Sequence, residues 1–456
     1  MPRVTNRRAM SSSVVTRTGV NVSGGPIHEY KKELTVRPIV NNEFGFPPPP
    51  FKVFKTTKTG ICVPRFYAEQ RIGKPVEDKR PKPTRIGVKF RGQLRASTRQ
   101  VEAFDRAIEA GHGVLSLPCG YGKTTVALAI ACKLRYRTMI IVHKSFLADQ
   151  WRERIKQFVP EATIGIVQQD KKETECDFVI AMLQSLSLKE YGFGDFESFG
   201  TVIVDEAHHI CAKVFSQSLF KMCPKHIYGL SATPERKDGL TKLLHWFMGP
   251  TFFAVERKNQ DGVEVFPTPF ECEMFKGPPP SQRNGKISLV SMETELVEMR
   301  ERNHMLVNLI KQASAGSRQL LVLSSRRWHC EHLHQYFKKT SGLYMGGMKA
   351  AALEESSKKK IIFATFSQAH EGLDIPTLDT VILATPKSDI VQSIGRIMRE
   401  TKGKLNNPHI YDVVDRWSIL NAMYYKRLRV YRKGGFKIHG TVDDQDQAPT
   451  EFMFKI

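Results

Sequence analysis

The sequence predicts an α/β protein with two parallel-sheet domains in tandem, preceded by a small basic module. From about residue 88, apolar strand candidates alternate with helical patterns, and a second alternation follows an irregular, proline-containing stretch near residues 265–285. Such alternation is typical of parallel sheets covered by helices on both faces. With 456 residues, 41% of them hydrophobic, the chain can bury two or three cores.

Each predicted strand is a short apolar run bounded by turn residues or by a helical pattern. In the first alternation the runs are GVLSL, TMIIV, DFVIAML, TVIVDE and HIYGLSAT. In the second, a helical segment that begins at Thr294 precedes the runs QLLVLSS, KKIIFATF and TVILATP. We therefore expect two similar α/β layers joined by a linker.

The N-terminal part of the chain is basic. Residues 1–100 contain 21 Lys and Arg against 6 Asp and Glu, a net +15 of the total +23, which predicts a polyanionic partner such as nucleic acid. Residues 1–28 lack periodicity and are predicted to be disordered. Residues 29–87 read as short strands of an accessory nucleic-acid-binding module. For its aromatic residues we expect packing in the core, with stacking on bases as the alternative; they are Phe51, Phe54, Phe66 and Tyr67.

Several classes of protein are disfavoured. The eight cysteines are scattered without a C-x-x-C pair, so we expect neither a zinc site nor a disulfide framework, and this fits a reducing compartment. No apolar run approaches the length of a membrane span, and the N-terminus has no apolar segment followed by a cleavage site. We expect an intracellular protein without a membrane partner.

The stretch LPCGYGKTT, residues 117–125, has the pattern of a phosphate-binding loop between a strand and a helix. In such a turn, backbone N–H groups converge on an anion at the helix N-terminus. Lys123 would reach the β- and γ-phosphates, and the Thr124 hydroxyl would bind Mg²⁺. The general motif has a glycine where this chain has Leu117, so the match needs support from elsewhere. The residues predicted to hold the nucleotide here are Gly120, Gly122, Lys123, Thr124 and Thr125.

The segment TVIVDEAHH, residues 201–209, supplies that support. It is an apolar strand that ends in two adjacent carboxylates. Asp205 can hold hydrated Mg²⁺ beside the loop, and Glu206 can orient and deprotonate the attacking water. A phosphate loop, a metal carboxylate and a base carboxylate are the minimal set for hydrolysis of a nucleoside triphosphate.

Together these motifs resemble those of the superfamily-2 helicases and translocases, over about residues 88–400. In that group the loop commonly reads x-P-x-G-x-G-K-T, which removes the objection at Leu117. Other segments resemble the family's motifs in the expected order: IIVHKSFLADQW, AMLQSL, DEAH, SATPERKDGL, LLVLSSRRWHCEHL, FATFSQAHEGLDIPTLDTVILATP and QSIGRIMR. The segments ATPERKDGL, ERN and EGLDIP resemble the XPB/UvsW-like branch. The stretch from YMGGMK to EGLDIP resembles large-DNA-virus members, including the poxvirus helicase that releases transcripts.

The resemblance implies two RecA-like domains, with ATP-binding residues 88–255, a linker or insert at 256–300 and a helicase C-terminal domain at 301–456. It also implies an ATP-dependent DNA helicase or translocase that uses ATP and Mg²⁺, in viral transcript release or in DNA repair and recombination. The implied partners are nucleic acid and the transcription machinery. We expect a monomer and, if the chain is viral, a location in the virion or the host cytoplasm.

Roles for individual residues follow from the same resemblance. Gln100 would read the adenine base, because a glutamine amide can pair with N6 and N7. Arg396 and Arg399 would act as arginine fingers, with Gln392 beside them among the catalytic residues. The remaining implied roles are nucleotide and strand sensing by Gly372 and Asp374, coupling by His208, Ser231 and Thr233, and strand contacts by Ser185, Thr365 and Ser367.

Three alternatives stay open at this point. An RNA helicase would use the same motifs, and recognition of the 2′-hydroxyl cannot be read from the sequence. A restriction-enzyme motor subunit shares the motifs, but no separate nuclease carboxylate cluster is evident. A nucleic-acid scaffold with an inactive ATPase is disfavoured by Lys123, Asp205, Glu206 and the two arginines.

Overall fold

In the computed structural model, the chain divides into two compact units, Met1–Glu256 and Arg257–Ile456. Among the described residues, no helix combines the length and the apolar character needed to cross a bilayer. The structure describes residues 11–39, 48–118, 120–192, 194–232, 238–255, 262–282, 285–371, 373, 375–398 and 406–440.

The first unit begins with a small mixed sheet. Its elements are β1 (Ser12–Thr16), β2 (Gly19–Ser23), α1 (Ile27–Glu33), β3 (Thr35–Val36), β4 (Phe51–Lys52), β5 (Lys55–Thr56), β6 (Gly60–Val63), α2 (Arg65–Arg71) and β7 (Glu77–Asp78). Five of the strands form one sheet in the order β5-β6-β2-β1-β7, and β3 pairs with β4. β1 and β2 are an antiparallel hairpin, in which Thr16 lies opposite Gly19.

Two predictions for this region are wrong. Residues 12–23, predicted as disordered, form the central hairpin of the sheet, in which Val15, Val20 and Val22 are buried. Each strand has only five residues and many serines and threonines, so the alternation was too short to stand out. Parts of the predicted strands around Tyr30 and Phe66 are helical turns instead, because one face of each helix packs against the core.

The remainder of the first unit is a parallel α/β layer. Its elements are α3 (Gln100–Ala110), β8 (Gly113–Ser116), α4 (Lys123–Leu134), β9 (Thr138–Val142), α5 (Ser145–Phe158), β10 (Ile164–Gln168), β11 (Lys171–Lys172), β12 (Phe178–Met182), α6 (Leu183–Leu188), β13 (Thr201–Val204), α7 (Lys213–Ser216), β14 (His226–Ser231), α8 (Thr241–Met248) and β15 (Thr251–Ala254). The strand order is β11-β10-β12-β9-β13-β14-β8-β15, and all pairs are parallel except β10 with β11. The five strands predicted here are confirmed.

The N-terminal sheet shares one hydrophobic core with a face of this parallel sheet. Helix α2 packs against α8, where the rings of Tyr67 and Trp246 meet edge to face with centroids 5.4 Å apart. Phe51, Phe54 and Phe66 are also buried, which confirms core packing as the role of these aromatic residues. A buried phenylalanine contributes roughly 1.5–3 kcal/mol to stability.

The second unit is another parallel α/β layer. Its elements are β16 (Glu264–Phe270), α9 (Leu289–Glu298), α10 (Arg300–Ala313), β17 (Leu320–Ser324), α11 (Arg327–Gln335), β18 (Ser341–Tyr344), α12 (Ala350–Ser357), β19 (Ile361–Thr365), α13 (Phe366–Glu371), β20 (Thr380–Leu383), α14 (Val391–Gly395), β21 (His409–Asp415), α15 (Ile419–Lys433) and β22 (Lys437–Ile438). The order is β18-β19-β17-β20-β21-β16-β22. The three strands predicted in this half are confirmed.

The prediction of a linker or insert at 256–300 is wrong for the described residues of that range, because all of them belong to the second unit. β16 pairs in parallel with β21 along its whole length. Its prolines, Pro267 and Pro269, concealed the strand from sequence reasoning. On the side away from β21, β22 pairs only with Glu264 and Val265. Among the described strands, none lies beside the two prolines on that side. Because a proline has no N–H group to donate, its presence there removes no hydrogen bond between strands.

The ERN segment has a structural role at the start of α10. Arg302 donates from Nε and Nη2 to the two carboxylate oxygens of Asp415, at 2.7 and 2.9 Å, and from Nη2 to the Ala384 carbonyl at 2.8 Å. Both side chains are fully buried, so this bidentate pair fastens α10 to the carboxyl end of β21.

Candidate functional site

The phosphate loop joins β8 to α4. Gly120 and Gly122 have φ angles of +86° and +77°, which L-amino acids with a side chain rarely adopt. A Cβ atom on Gly122 would also lie 2.5 Å from Nε2 of Gln100. Backbone geometry therefore requires glycine at position 122, and a side chain there would also displace the Gln100 amide.

Lys123 is the first residue of α4, and its ammonium group donates to the Leu117 carbonyl across 3.1 Å. The side chain thus folds back across the loop at the N-terminus of a twelve-residue helix, where anions are favoured. Thr124 and Thr125 follow in the first turn and are partly exposed. These are the positions that a triphosphate site of this type needs.

Gln100 fastens the loop to α3. Its Oε1 accepts the backbone N–H of Arg95 at 2.9 Å, and its Nε2 donates to the Tyr121 carbonyl at 2.8 Å. The side chain is buried, with 1% of its surface exposed. Gln100 therefore braces the phosphate loop, and its role in reading adenine stays a prediction.

The two carboxylates follow β13. Oδ2 of Asp205 accepts the indole N–H of Trp151 at 2.9 Å, and Oδ1 accepts the backbone N–H of Glu206 at 3.0 Å. Burial, and then the charge of Glu206, raises the pKa of Asp205, while the two hydrogen bonds and Lys123 act in the opposite direction. Lys123 acts on the pKa of Asp205 through its charge.

Glu206 has a strained backbone, with φ +44° and ψ 54° in the left-handed region. A residue with a side chain pays roughly 1–3 kcal/mol for such a conformation, and such strain clusters at functional sites. Glu206 lies between β13 and a short 3-10 helix, Ala207–Cys211, and its Oε2 lies 3.5 Å from Nδ1 of His208.

Ser231 links the loop to this second motif. It ends β14, which lies between β13 and β8 in the sheet. Its hydroxyl lies 3.2 Å from His208 Nδ1, and its carbonyl accepts the N–H of Leu117 at 3.2 Å. Two of the three predicted coupling residues are therefore in direct contact, and Thr233 lies outside the described residues.

The sequence analysis missed three residues of this site. Trp151 holds Asp205. The ring of His209 packs at a tilt against those of His143 and His208, with centroids 4.0 and 4.4 Å apart. Burial lowers the pKa of His143, and the adjacent Lys144 adds to that effect. Two signals were available in the sequence: His143 directly follows an apolar strand, and His209 directly follows DEAH.

The predicted residues of the second unit are described in part. Thr365 and Ser367 lie together at the end of β19, with their hydroxyl oxygens 3.2 Å apart. Gln392 is in α14, and Arg396 follows the end of that helix and donates from Nε to the Ala369 carbonyl at 2.7 Å. Three predicted residues fall outside the described part of the chain: Gly372, Asp374 and Arg399.

Ser185 has a structural contact within the first unit. It lies in α6 with 9% of its surface exposed, and its hydroxyl accepts the backbone N–H of Gln169 at 3.0 Å. Gln169 has a positive φ of 50°, so the bond stabilises a tight turn after β10. The hydroxyl therefore already accepts a hydrogen bond within the protein, and its contact with a nucleic-acid strand stays a prediction.

Taken together, a glycine loop, its lysine and two carboxylates at the carboxyl edge of one parallel sheet define a phosphate-loop protein that hydrolyses nucleoside triphosphates. Residues 90–236 match the family described as "Type III restriction enzyme, res subunit". "Putative ATP-dependent RNA helicase L396" of Acanthamoeba polyphaga mimivirus is 34% identical over 413 residues, 85% of this chain and 78% of that protein. "Putative helicase 161L" of Invertebrate iridescent virus 6 is 31% identical over 389 residues, 79% of this chain and 85% of that protein.

The chain therefore belongs to the superfamily-2 helicases of the type found in large DNA viruses, and it is an ATP-dependent helicase that binds nucleic acid. The solved structure of the ATP-dependent Type ISP restriction-modification enzyme LlaBIII bound to DNA aligns with 78% of this chain and 30% of that chain. Its TM-score is 0.50 at 18% identity, which supports the fold alone, two parallel-sheet domains in tandem.

Proposed function

We propose that this helicase moves along single-stranded DNA and uses ATP hydrolysis to displace a paired strand or a transcript. The observation that carries the proposal is a chain of contacts at one edge of a sheet. Lys123 bonds to Leu117, Leu117 bonds to Ser231, and Ser231 contacts His208, which lies beside Glu206. A change at the γ-phosphate can therefore alter the packing of the carboxylate motif through direct contacts.

The residues at this edge fit a hydrated Mg²⁺ ion. The Thr124 hydroxyl and the Asp205 carboxylate are oxygen ligands, which Mg²⁺ prefers. Each Asp205 oxygen accepts one hydrogen bond within the protein and keeps a further lone pair for ordered water. When bound, Mg²⁺ would neutralise charge that develops on the β- and γ-phosphates.

Glu206 is the proposed base. Its carboxylate would orient a water molecule for attack on the γ-phosphate and accept the proton. His208, 3.5 Å from Oε2, would hold the carboxylate in place. The strained backbone of Glu206 supports this role, because it fixes the direction in which the side chain leaves the strand.

Arg396 and Arg399 are proposed to stabilise the negative charge that develops on the γ-phosphate in the transition state. Thr365 and Ser367 are proposed to hold the strand through its phosphates. Phosphate contacts read no base identity, so we expect low sequence specificity and a steep dependence of binding on salt.

DNA is the proposed strand because the ERN and EGLDIP segments resemble a branch that acts on DNA. RNA is the second candidate, since the mimivirus relative is named as an RNA helicase. Release of transcripts, with the transcription machinery as partner, is the proposed setting, and DNA repair is the alternative.

The test measures phosphate release from ATP alone, with single-stranded DNA and with RNA, followed by strand displacement on tailed duplexes. We expect stimulation by DNA, no hydrolysis by Lys123→Ala or Glu206→Gln, and normal hydrolysis by the control Lys133→Ala on the exposed side of the same helix. Stimulation by RNA alone would favour the second candidate. Absence of stimulation by either strand would exclude a nucleic-acid motor.

A further inference from the structure

Helix α11 carries an unusual exposed face. Its buried side consists of His329, Cys330 and Leu333, as expected for a helix on a sheet. A charged outer face is the usual complement of such a side. Here Trp328 lies on the outer face beside the charged Arg327 and Glu331, and Tyr336 follows the last residue of the helix. Trp328 and Tyr336 are 51% and 50% exposed. Several large hydrophobic side chains are exposed in the described part of the chain, and Trp328 and Tyr336 are the two aromatic ones among them.

The two rings are joined by a third. The rings of Trp328 and His332 stack with centroids 5.1 Å apart and planes at 13°, and His332 meets Tyr336 edge to face at 5.6 Å. The three residues, four apart in sequence, form one row along the helix, which we call the aromatic ladder. Because His332 supports both neighbours, the exposed ring faces are held in place before any ligand binds.

The surroundings of the aromatic ladder are basic. Residues 326–349 contain five Lys and Arg and a single acidic residue, Glu331. Glu331 is paired with Arg327 at 2.8 Å, and Lys338 and Lys339 are exposed just beyond the end of the helix. Aromatic faces with lysines beside them favour a polyanion whose bases can stack, because a nucleic acid uses the rings and the lysines together.

The ladder also begins near the proposed strand contacts. β17 pairs with β19 so that Ser324 lies beside Thr365, and Trp328 is only four residues beyond Ser324. Ser324 and Trp328 therefore lie at the carboxyl edge of the sheet, as Thr365 and Ser367 do. Helices α11 and α13 cover opposite faces of this sheet, so a strand bound at those hydroxyl groups would cross the carboxyl edge to meet the first ring.

We propose that Trp328, His332 and Tyr336 form a base-stacking platform for single-stranded nucleic acid beyond the contacts at Thr365 and Ser367. The inference rests on the proposed function, because it assumes a strand at those two residues. Stacking is tolerant of sequence, so the platform would add affinity without specificity. It would act on single strands only, since the bases of a duplex are already stacked.

The test uses the full chain and a fluorescein-labelled oligothymidylate, with binding measured by anisotropy. The double variant Trp328→Ala/Tyr336→Ala should bind the oligonucleotide about tenfold or more weakly, from the known strength of base–aromatic stacking. Trp328→Phe/Tyr336→Phe should retain most of the affinity. Binding of a blunt duplex and ATP hydrolysis without nucleic acid should not change, which also reports that the variant is folded. The control is Leu188→Ala, an apolar residue with 73% exposure in the first unit.

Tryptophan fluorescence gives a second readout. Of the four tryptophans, Trp151 and Trp417 are buried and Trp246 is partly buried, so Trp328 is the one most open to quenching by iodide. Oligothymidylate should protect wild-type protein from iodide, and Trp328→Phe should lose that protected component.

Unchanged affinity of the double variant, while wild type binds, would overturn the platform alone and leave the surface to a protein partner. Failure of wild type to bind any strand would overturn the proposed function together with the platform.

Discussion

The indole N–H of Trp151 donates to Oδ2 of Asp205 across 2.9 Å, and so ties α5 to the end of β13. Burial raises the pKa of Asp205, and this hydrogen bond acts against that rise because it favours the ionised form. Trp151 is itself buried, with 2% of its surface exposed. The bond therefore both orients the proposed metal ligand and helps to keep it charged.

Trp151→Phe should weaken the apparent affinity for Mg²⁺ by about 10- to 100-fold, the usual effect of losing a residue that orients a metal ligand. The measurement is ATP turnover as a function of Mg²⁺ concentration. Trp246→Phe is the control, because that residue packs on Tyr67 in the same unit. An unchanged Mg²⁺ dependence in Trp151→Phe would contradict a role in orienting Asp205.

Gly122→Ala should abolish nucleotide binding, because the new methyl group meets Gln100 Nε2 at 2.5 Å in addition to the strain of a positive φ. Gly316→Ala is the matched control, since its φ is +67° and nothing lies within 4 Å of an added Cβ. The control should lose only the unfolding free energy that backbone strain costs, about 1–2 kcal/mol, and should still bind nucleotide. Fluorescent-nucleotide titration and urea unfolding of both variants separate the two effects, and equal losses would show that packing at Gln100 is unimportant.

Arg396→Ala should leave ATP binding close to wild type and lower turnover by about 10³-fold or more, as expected for an arginine finger. The comparison of a nucleotide titration with single-turnover hydrolysis distinguishes the two steps. If Arg396 instead serves only its bond to the Ala369 carbonyl, the variant will lose stability of the second unit and keep its turnover per folded molecule.

A buried histidine gives the second unit a pH-dependent stability. His329 Nε2 lies 2.9 Å from Oδ1 of Asn303, and its Nδ1 lies 3.0 Å from Oγ of Ser324. The Asn303 amide donates to the Val297 carbonyl, which leaves Oδ1 as the acceptor and assigns the proton of the neutral ring to Nε2. Burial lowers the pKa of His329 to about 3.

Because the folded pKa lies below the unfolded value of about 6.5, the stability that His329 contributes is complete above pH 6.5 and is lost as the pH falls towards 3. Between pH 7.5 and 5, wild type should lose about 2 kcal/mol of unfolding free energy that His329→Gln does not lose. Urea unfolding at both pH values checks this, and parallel losses in the two proteins would contradict it.

Prediction succeeded where the pattern was local. The eight apolar strand candidates are strands, because runs of this kind are buried on both faces of a parallel sheet. It failed for the hairpin at residues 12–23 and for β16, whose prolines are tolerated because β22 ends before it reaches them and leaves that part of β16 as a local edge. Edge position is a property of the assembled sheet and cannot be read from the strand.

The site divides in the same way. Lys123, Asp205 and Glu206 could be identified because their chemistry depends on short spacings along one loop or one strand end. Gln100, Trp151 and Ser185 owe their contacts to residues far away in sequence. Gln100 and Trp151 brace the site, and the Ser185 hydroxyl is bonded within the protein. These contacts depend on which helices pack against which strands.

The amino-acid sequence alone was thus enough to predict two α/β layers, the nucleotide motifs and the helicase class. Each of these depends on short, contiguous stretches of the chain. Folding decided which polar groups are buried, which aromatic rings stay exposed and which hydroxyls are already bonded. Those properties arise from long-range packing, in which a hydrogen bond or a covered surface joins parts of the chain that carry no shared local pattern.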